Sequence, residues 1–192
     1  MLFRSPAGRL GRLEEAADAA RLALDFKLAT SPPLAVAWAA ALGLEALTRL
    51  GRLDEADAMA GVAAGRDPPE GWIHTVSFRQ ARGALRVAQH RPEEALADLL
   101  AAAEGWQALG VTNPAVASWR TAAVAAYRAL GQHDEAAALA GEQLALARKA
   151  GSPLTLGMAL RVHGDLAEAV SVLEATPARY ELALAYRALG PH

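Results

Sequence analysis

Four pairs of adjacent carboxylates are the first residues in this chain that could do chemistry: Glu14/Glu15, Asp54/Glu55, Glu93/Glu94 and Asp134/Glu135. Neighbouring carboxyl groups whose pKa values are driven apart can divide proton donation and acceptance between them. A catalytic pair is needed only once, whereas these recur at one place in successive repeats, which gives them a structural role. The histidines are His74, His90, His133, His163 and His192, and they show neither the i, i+4 pairing nor the clustering of a metal site. His90 and His133 fall at repeat junctions, where turn or helix-end roles are expected. The sequence contains no cysteine, which removes disulfides and thiolate chemistry. It also lacks a phosphate-binding Gly-x-x-x-x-Gly-Lys-Ser/Thr loop, a Gly-x-Ser-x-Gly elbow and a dinucleotide fingerprint. The expectation is a protein that is not an enzyme and that carries no cofactor or metal.

Recognition chemistry is the alternative. Phe78-Arg79 and Trp119-Arg120 stand at equivalent places in adjacent repeats, and Arg82 and Arg86 continue the Arg79 face at i+3 and i+7. Together with Trp72, these residues make a candidate interaction groove of Trp72, Phe78, Arg79, Arg82, Arg86, Trp119 and Arg120. Guanidinium groups beside aromatic rings suit an anionic partner. The competing reading is a solvated or ion-paired arginine face, with the tryptophans as packing anchors. Trp38 and Trp106 are expected to be such anchors.

The elements that would position these residues follow from a repeated tag. Gly11-Arg-Leu-Glu-Glu-Ala16, Gly51-Arg-Leu-Asp-Glu-Ala56, His90-Arg-Pro-Glu-Glu-Ala95, Gly131-Gln-His-Asp-Glu-Ala136 and Gly164-Asp-Leu-Ala-Glu-Ala169 recur at spacings of 40, 39, 41 and 33 residues. Periods in this range belong to stacked helical hairpins. Gly51 and Gly131 suit the left-handed position that closes a helix. The carboxylates that follow fall in the next first turn, against the positive end of the helix dipole. The third tag has His90 in place of glycine and Pro92 to start the next helix, so a different turn is expected there. Prolines at 32–33, 68–69, 114, 153 and 177 mark the other helix starts. The spacing predicts ten helices: 10–28, 33–49, 53–64, 70–89, 92–109, 114–130, 133–150, 153–163, 165–175 and 177–189. Helices before a tag are termed A, and helices after it B. The fold class expected is all-α, a tetratricopeptide-like superhelical solenoid of antiparallel helix pairs in a single domain covering 1–192.

Composition agrees with that class. Hydrophobic residues make up 53% of the 192, mostly alanine and leucine, and aromatic residues only 5%. The net charge of −2 and the pI near 6.2 lack the basic footprint of a nucleic-acid binder. The first residues have no apolar core of a secretion signal, and the run Leu34 to Leu44 is about half the ~20 residues of a membrane-spanning helix. The expectations are a cytoplasmic protein, no direct nucleic-acid binding and no membrane. The phasing opens on a B helix and closes on an A helix, each without its partner. The apolar stripe Leu182, Ala183, Leu184, Tyr186 and Leu189 lies in the last of them. A piece of a longer protein, or self-association through uncapped ends, is expected from this.

The run Asn113-Pro-Ala-Val-Ala-Ser-Trp-Arg120, the segment Glu135-Ala-Ala-Ala-Leu-Ala140 and the segment Leu144-Ala-Leu-Ala-Arg-Lys-Ala-Gly151 resemble the helical-repeat region of large ATP-dependent LuxR-family transcriptional regulators, the family of the maltose-regulon activator. Leu156-Gly-Met-Ala-Leu-Arg161 and the stretch from Leu173 to Ala185 continue the likeness. It covers roughly residues 40 to 190 and is strongest from 113 onward. In that family the repeats lie between an ATPase module and a DNA-binding helix-turn-helix, and they receive inducers or partner proteins. The resemblance implies a sensor or interaction segment that takes a protein or small effector on its concave face. The 192 residues contain neither a phosphate loop nor a basic recognition helix, so ATP hydrolysis and DNA binding are not implied. A stand-alone adaptor for peptides or proteins is the alternative function.

Overall fold

The computed structural model describes residues 12–66 and 69–190; Gly11 of the first tag, Pro68 and His192 lie outside them. Among the described residues the chain is all-helical, with ten α-helices and no strand. The B helices are α1 (Leu13–Thr30), α3 (Leu53–Ala64), α5 (Pro92–Ala108), α7 (His133–Ala150) and α9 (Leu166–Glu174). The A helices are α2 (Pro33–Leu50), α4 (Ile73–Ala88), α6 (Trp119–Ala129), α8 (Pro153–His163) and α10 (Arg179–Leu189).

The second, third and fourth tags build the same junction. Gly51 closes α2 at φ 73°, where its N–H donates to Thr48 and the next N–H, from Arg52, reaches back to Leu47. Gly131 repeats this with Arg128 and Tyr127 at φ 74°. The third junction corrects the expectation of a different turn. His90 takes φ 58° and gives its N–H to Val87, while Arg91 reaches Arg86, the same pair of bonds in the same register. The backbone geometry of the repeat overrides the side chain. A left-handed non-glycine residue costs about 1–2 kcal/mol, and the added chain freedom of glycine offsets about half of that. His90→Gly is therefore expected to stabilise the protein by roughly 0.5–1 kcal/mol, read as a higher urea midpoint with an unchanged slope.

The tag's second acid also does more than meet a dipole. Arg52 pairs with Glu55 at 2.6 Å and Arg91 with Glu94 at 2.6 Å, each across the first turn of the B helix. These hydrogen bonds hold both glutamates below their usual range. Arg52 also reaches Glu14 of α1, and Arg91 approaches Asp57 of α3, so neighbouring tags are linked along the surface. Such exposed pairs contribute little to stability.

Helix packing follows the hairpin order. Every B helix lies against the A helices that flank it in sequence, and each A helix packs on the next A helix. Glycines on the A helices set the closeness of the hairpins. A Cβ added at Gly43 would come within 2.4 Å of Met59, one at Gly83 within 2.5 Å of Leu99, and one at Gly157 within 2.5 Å of Leu173. The core between them is alanine and leucine, with Trp106 its largest fully buried side chain. By length and composition α2 is the one described helix apolar enough to cross a membrane, and half of it is buried where α1, α3 and α4 pack on it.

One element departs from the sequence expectation. The helix anticipated from 114 begins only at Trp119. Asn113 accepts the Ala115 N–H with its side chain and the Ala117 N–H with its carbonyl, which coils residues 113–118 into turns. Gln80 of α4 fixes that coil by donating to the Val116 carbonyl and to Ser118 Oγ at 3.1 Å. The terminal stripe is also used within the chain. Leu182 and Leu189 join the core of α7 to α10, Leu184 faces a cavity, and Ala183 and Tyr186 stay exposed.

Candidate functional site

The structure distributes the seven residues of the anticipated groove instead of gathering them. Phe78 is buried in the core. Arg82 and Arg86 turn toward α5 and converge on Asp98, at 2.6 and 2.7 Å, with Arg82 stacked over Phe78. Arg79 pairs with Glu70, and Arg120 with Glu142 of α7 at 2.7 Å while lying over Trp119. Trp72 is exposed at the start of α4. The four arginines thus form ion pairs, three of them toward neighbouring B helices, and do not line a common groove. The geometry is that of the ion-paired alternative, because each guanidinium meets a carboxylate, on a B helix for Arg82, Arg86 and Arg120 and just before α4 for Arg79. Trp119 alone of the seven lines the cavity described next.

All five A helices contribute to one cavity of about 240 Å³. Trp38, Ala41 and Leu42 come from α2, Gln80 and Ala81 from α4, Trp119 and Ala122 from α6, Met158 and Arg161 from α8, and Tyr180, Glu181 and Leu184 from α10. The coil before α6 adds Ala115 and Val116, so the late start of that helix shapes the wall. The wall is mainly apolar, with charge confined to one end.

That end joins the two extremes of the A row. Glu181 of α10 is 5% exposed and takes Arg49 of α2 at 3.4 Å and Arg161 of α8 at 3.3 Å. Arg49 also holds Glu45 at 3.0 Å and lies 5.3 Å from the centre of the Tyr180 ring. Burial, and then the charge of Glu181, push the Tyr180 hydroxyl above its ordinary range, so it stays a neutral donor.

Polar atoms around the cavity are incompletely paired. Among the described residues, five buried side-chain polar atoms have no hydrogen-bond partner, and three belong to residues of this wall: Trp38 Nε1, Thr48 Oγ1 and Arg161 Nε. These three atoms are closed off even from water, so they lie behind the cavity wall and do not face its space. Trp38 and Arg161 can only donate, and Thr48 can donate as well. The arrangement is equipped to hold a compact molecule with an apolar body and a polar group that meets the charged residues of the wall. No group of histidines and carboxylates that could hold a metal occurs among the described residues.

The wall residues had a signal in the sequence that a search for arginines passes over. The tag spacings of 39 and 41 relate Trp38 to Ser77 and Ser118, Ala41 to Gln80 and Thr121, and Leu42 to Ala81 and Ala122. All nine line the cavity. None of the nine is charged and six are small, which leaves room on the inner face of the first three A helices. No family model matches the chain, and neither the curated proteins nor the solved structures yield a match.

Proposed function

We propose that this chain is a tetratricopeptide-like helical-repeat domain that receives a small effector among its A helices, and that it serves as the sensing segment of a LuxR-type bacterial regulator. The observation that carries the reading is the cavity, in which all five A helices share a mainly apolar wall with two arginines, two glutamates and Tyr180 on it. Concave, largely apolar spaces with a few placed polar groups are the usual form of small-molecule sites. The LuxR assignment is supported by the likeness of residues 113–190.

A cavity-filling variant tests the effector reading. Ala84 lines the space on α4 beside Ala81, and Ala84→Phe should occupy it. Small aromatic fragments screened by ligand-observed NMR are expected to bind the native protein and to be lost in the variant. Thermal unfolding serves as the control for folding. Retention of the same hits by a folded Ala84→Phe protein, or no hits on the native protein, would reject the reading.

A further inference from the structure

Building on that effector reading, we propose that the cavity is selective for a carboxylate carried on a compact apolar or aromatic body, with Arg161 as the group that seats the acid.

The charges of the wall decide between an acid, a neutral molecule and an amine. Four charged residues line the cavity: Glu45, Arg49, Arg161 and Glu181. Both carboxylates are engaged, Glu45 by Arg49 and Glu181 by Arg49 and Arg161 together. An amine would meet only carboxylates whose charge is already shared with a guanidinium. Arg161 is in the opposite position. One of its terminal nitrogens meets Glu181 at 3.3 Å, a long contact and the only hydrogen bond this side chain makes among the described residues, and the side chain keeps 19% of its surface exposed at the wall. A guanidinium has five N–H donors in a planar fork, and a carboxylate facing its two terminal nitrogens can take two of them at once. Such a pair is about twice as strong as a neutral hydrogen bond.

Arg49 cannot play the same role, because two carboxylates and the face of Tyr180 already surround it. The unbonded terminal N–H groups of Arg161 therefore ask for an acceptor on the ligand.

Size limits the rest of the molecule. A cavity of about 150 Å³ holds one benzene ring, and this one is about 240 Å³. One or two fused rings with a short acid arm fit. Ala41, Ala81, Ala122, Met158 and Leu184 would bury the body, and Trp119 offers a ring face or edge for stacking.

Phenylacetate, phenylacetamide and phenethylamine are near-matched in shape and differ in the charge they carry. Titrated by calorimetry and by tryptophan fluorescence, the acid is expected to bind about tenfold tighter than the amide, the difference between a charge-assisted bond and a neutral one. The amine is expected to bind weakest. Arg161→Gln should bring the acid down to the level of the amide and leave the amide unchanged; Arg161→Lys keeps the charge without the fork and should fall between. Equal binding of acid and amide, or tightest binding of the amine, would overturn the carboxylate assignment while leaving the effector reading in place. No binding by any of the three, with no fragment displaced by Ala84→Phe, would overturn both.

Discussion

Replacing Asp98 with alanine is expected to destabilise the protein by about 3 kcal/mol, at the low end of the ~3–5 kcal/mol seen when one partner of a buried ion cluster is removed. The carboxylate is 5% exposed and takes three hydrogen bonds, two from Arg82 and one from Arg86. Its loss leaves two guanidiniums of α4 pressed against α5 with no counter-charge. They retain about a fifth of their surface in water, 22% and 21%, which is why the lower value is expected. Urea denaturation of the variant should show the loss directly. Replacing the whole cluster, with Asp98→Leu, Arg82→Met and Arg86→Leu together, should recover most of it, because removing all the charges removes the uncompensated burial. If Asp98→Ala falls within about 0.5 kcal/mol of the native protein, the change typical of a plain surface site, the triad is a surface feature and not part of the core.

Trp106→Ala should cost more, about 3–5 kcal/mol. The side chain is 2% exposed, fills the space where α4, α5 and the 113–118 coil meet, and donates from Nε1 to Gln80 Oε1 at 3.0 Å. Gln80 also lines the cavity and clamps the coil whose Val116 lines it. The variant is thus expected to lose stability and to loosen the cavity wall together. Trp106→Phe separates the two effects. It keeps most of the apolar volume and drops the hydrogen bond, so a smaller loss, of about 1–2 kcal/mol, should accompany any change in fragment binding. Fragment affinities that stay at the native value in Trp106→Phe would show that Gln80 holds the wall without its help.

The all-helical class and most element boundaries were legible because three local signals coincide: a helix-closing residue, an acidic first turn and a proline at the next start. Helices over 53–64, 133–150 and 153–163 match the structure to the residue. The start of α6 was not legible, since Pro114 suits a first helical turn and the competing Asn113 turn depends on Gln80, which is distant in sequence. The same limit governs the site. Arg79, Arg82, Arg86 and Arg120 share a spacing, but spacing does not say which side of a helix meets a partner. Asp98 and Glu142 decided that, and each lies in a different helix from the arginines it holds. Trp106 as a packing anchor was readable, because a large ring among alanines has few places to go. Glu181 was not, because its value lies in Arg49 and Arg161, which come from two other helices.

The bond between Arg49 and Glu181 changes how the molecule comes apart. In a row of units that touch only their neighbours, the outer units fray first and independently, and stability is a sum of local steps. Here the second helix and the tenth share one carboxylate at the mouth of the same cavity. Unfolding of either α2 or α10 must break that shared bond and so loosens the other. Amide exchange in α2 and α10 should accordingly slow in parallel when the cavity is filled, which would make an occupant a clasp between the first and last A helices.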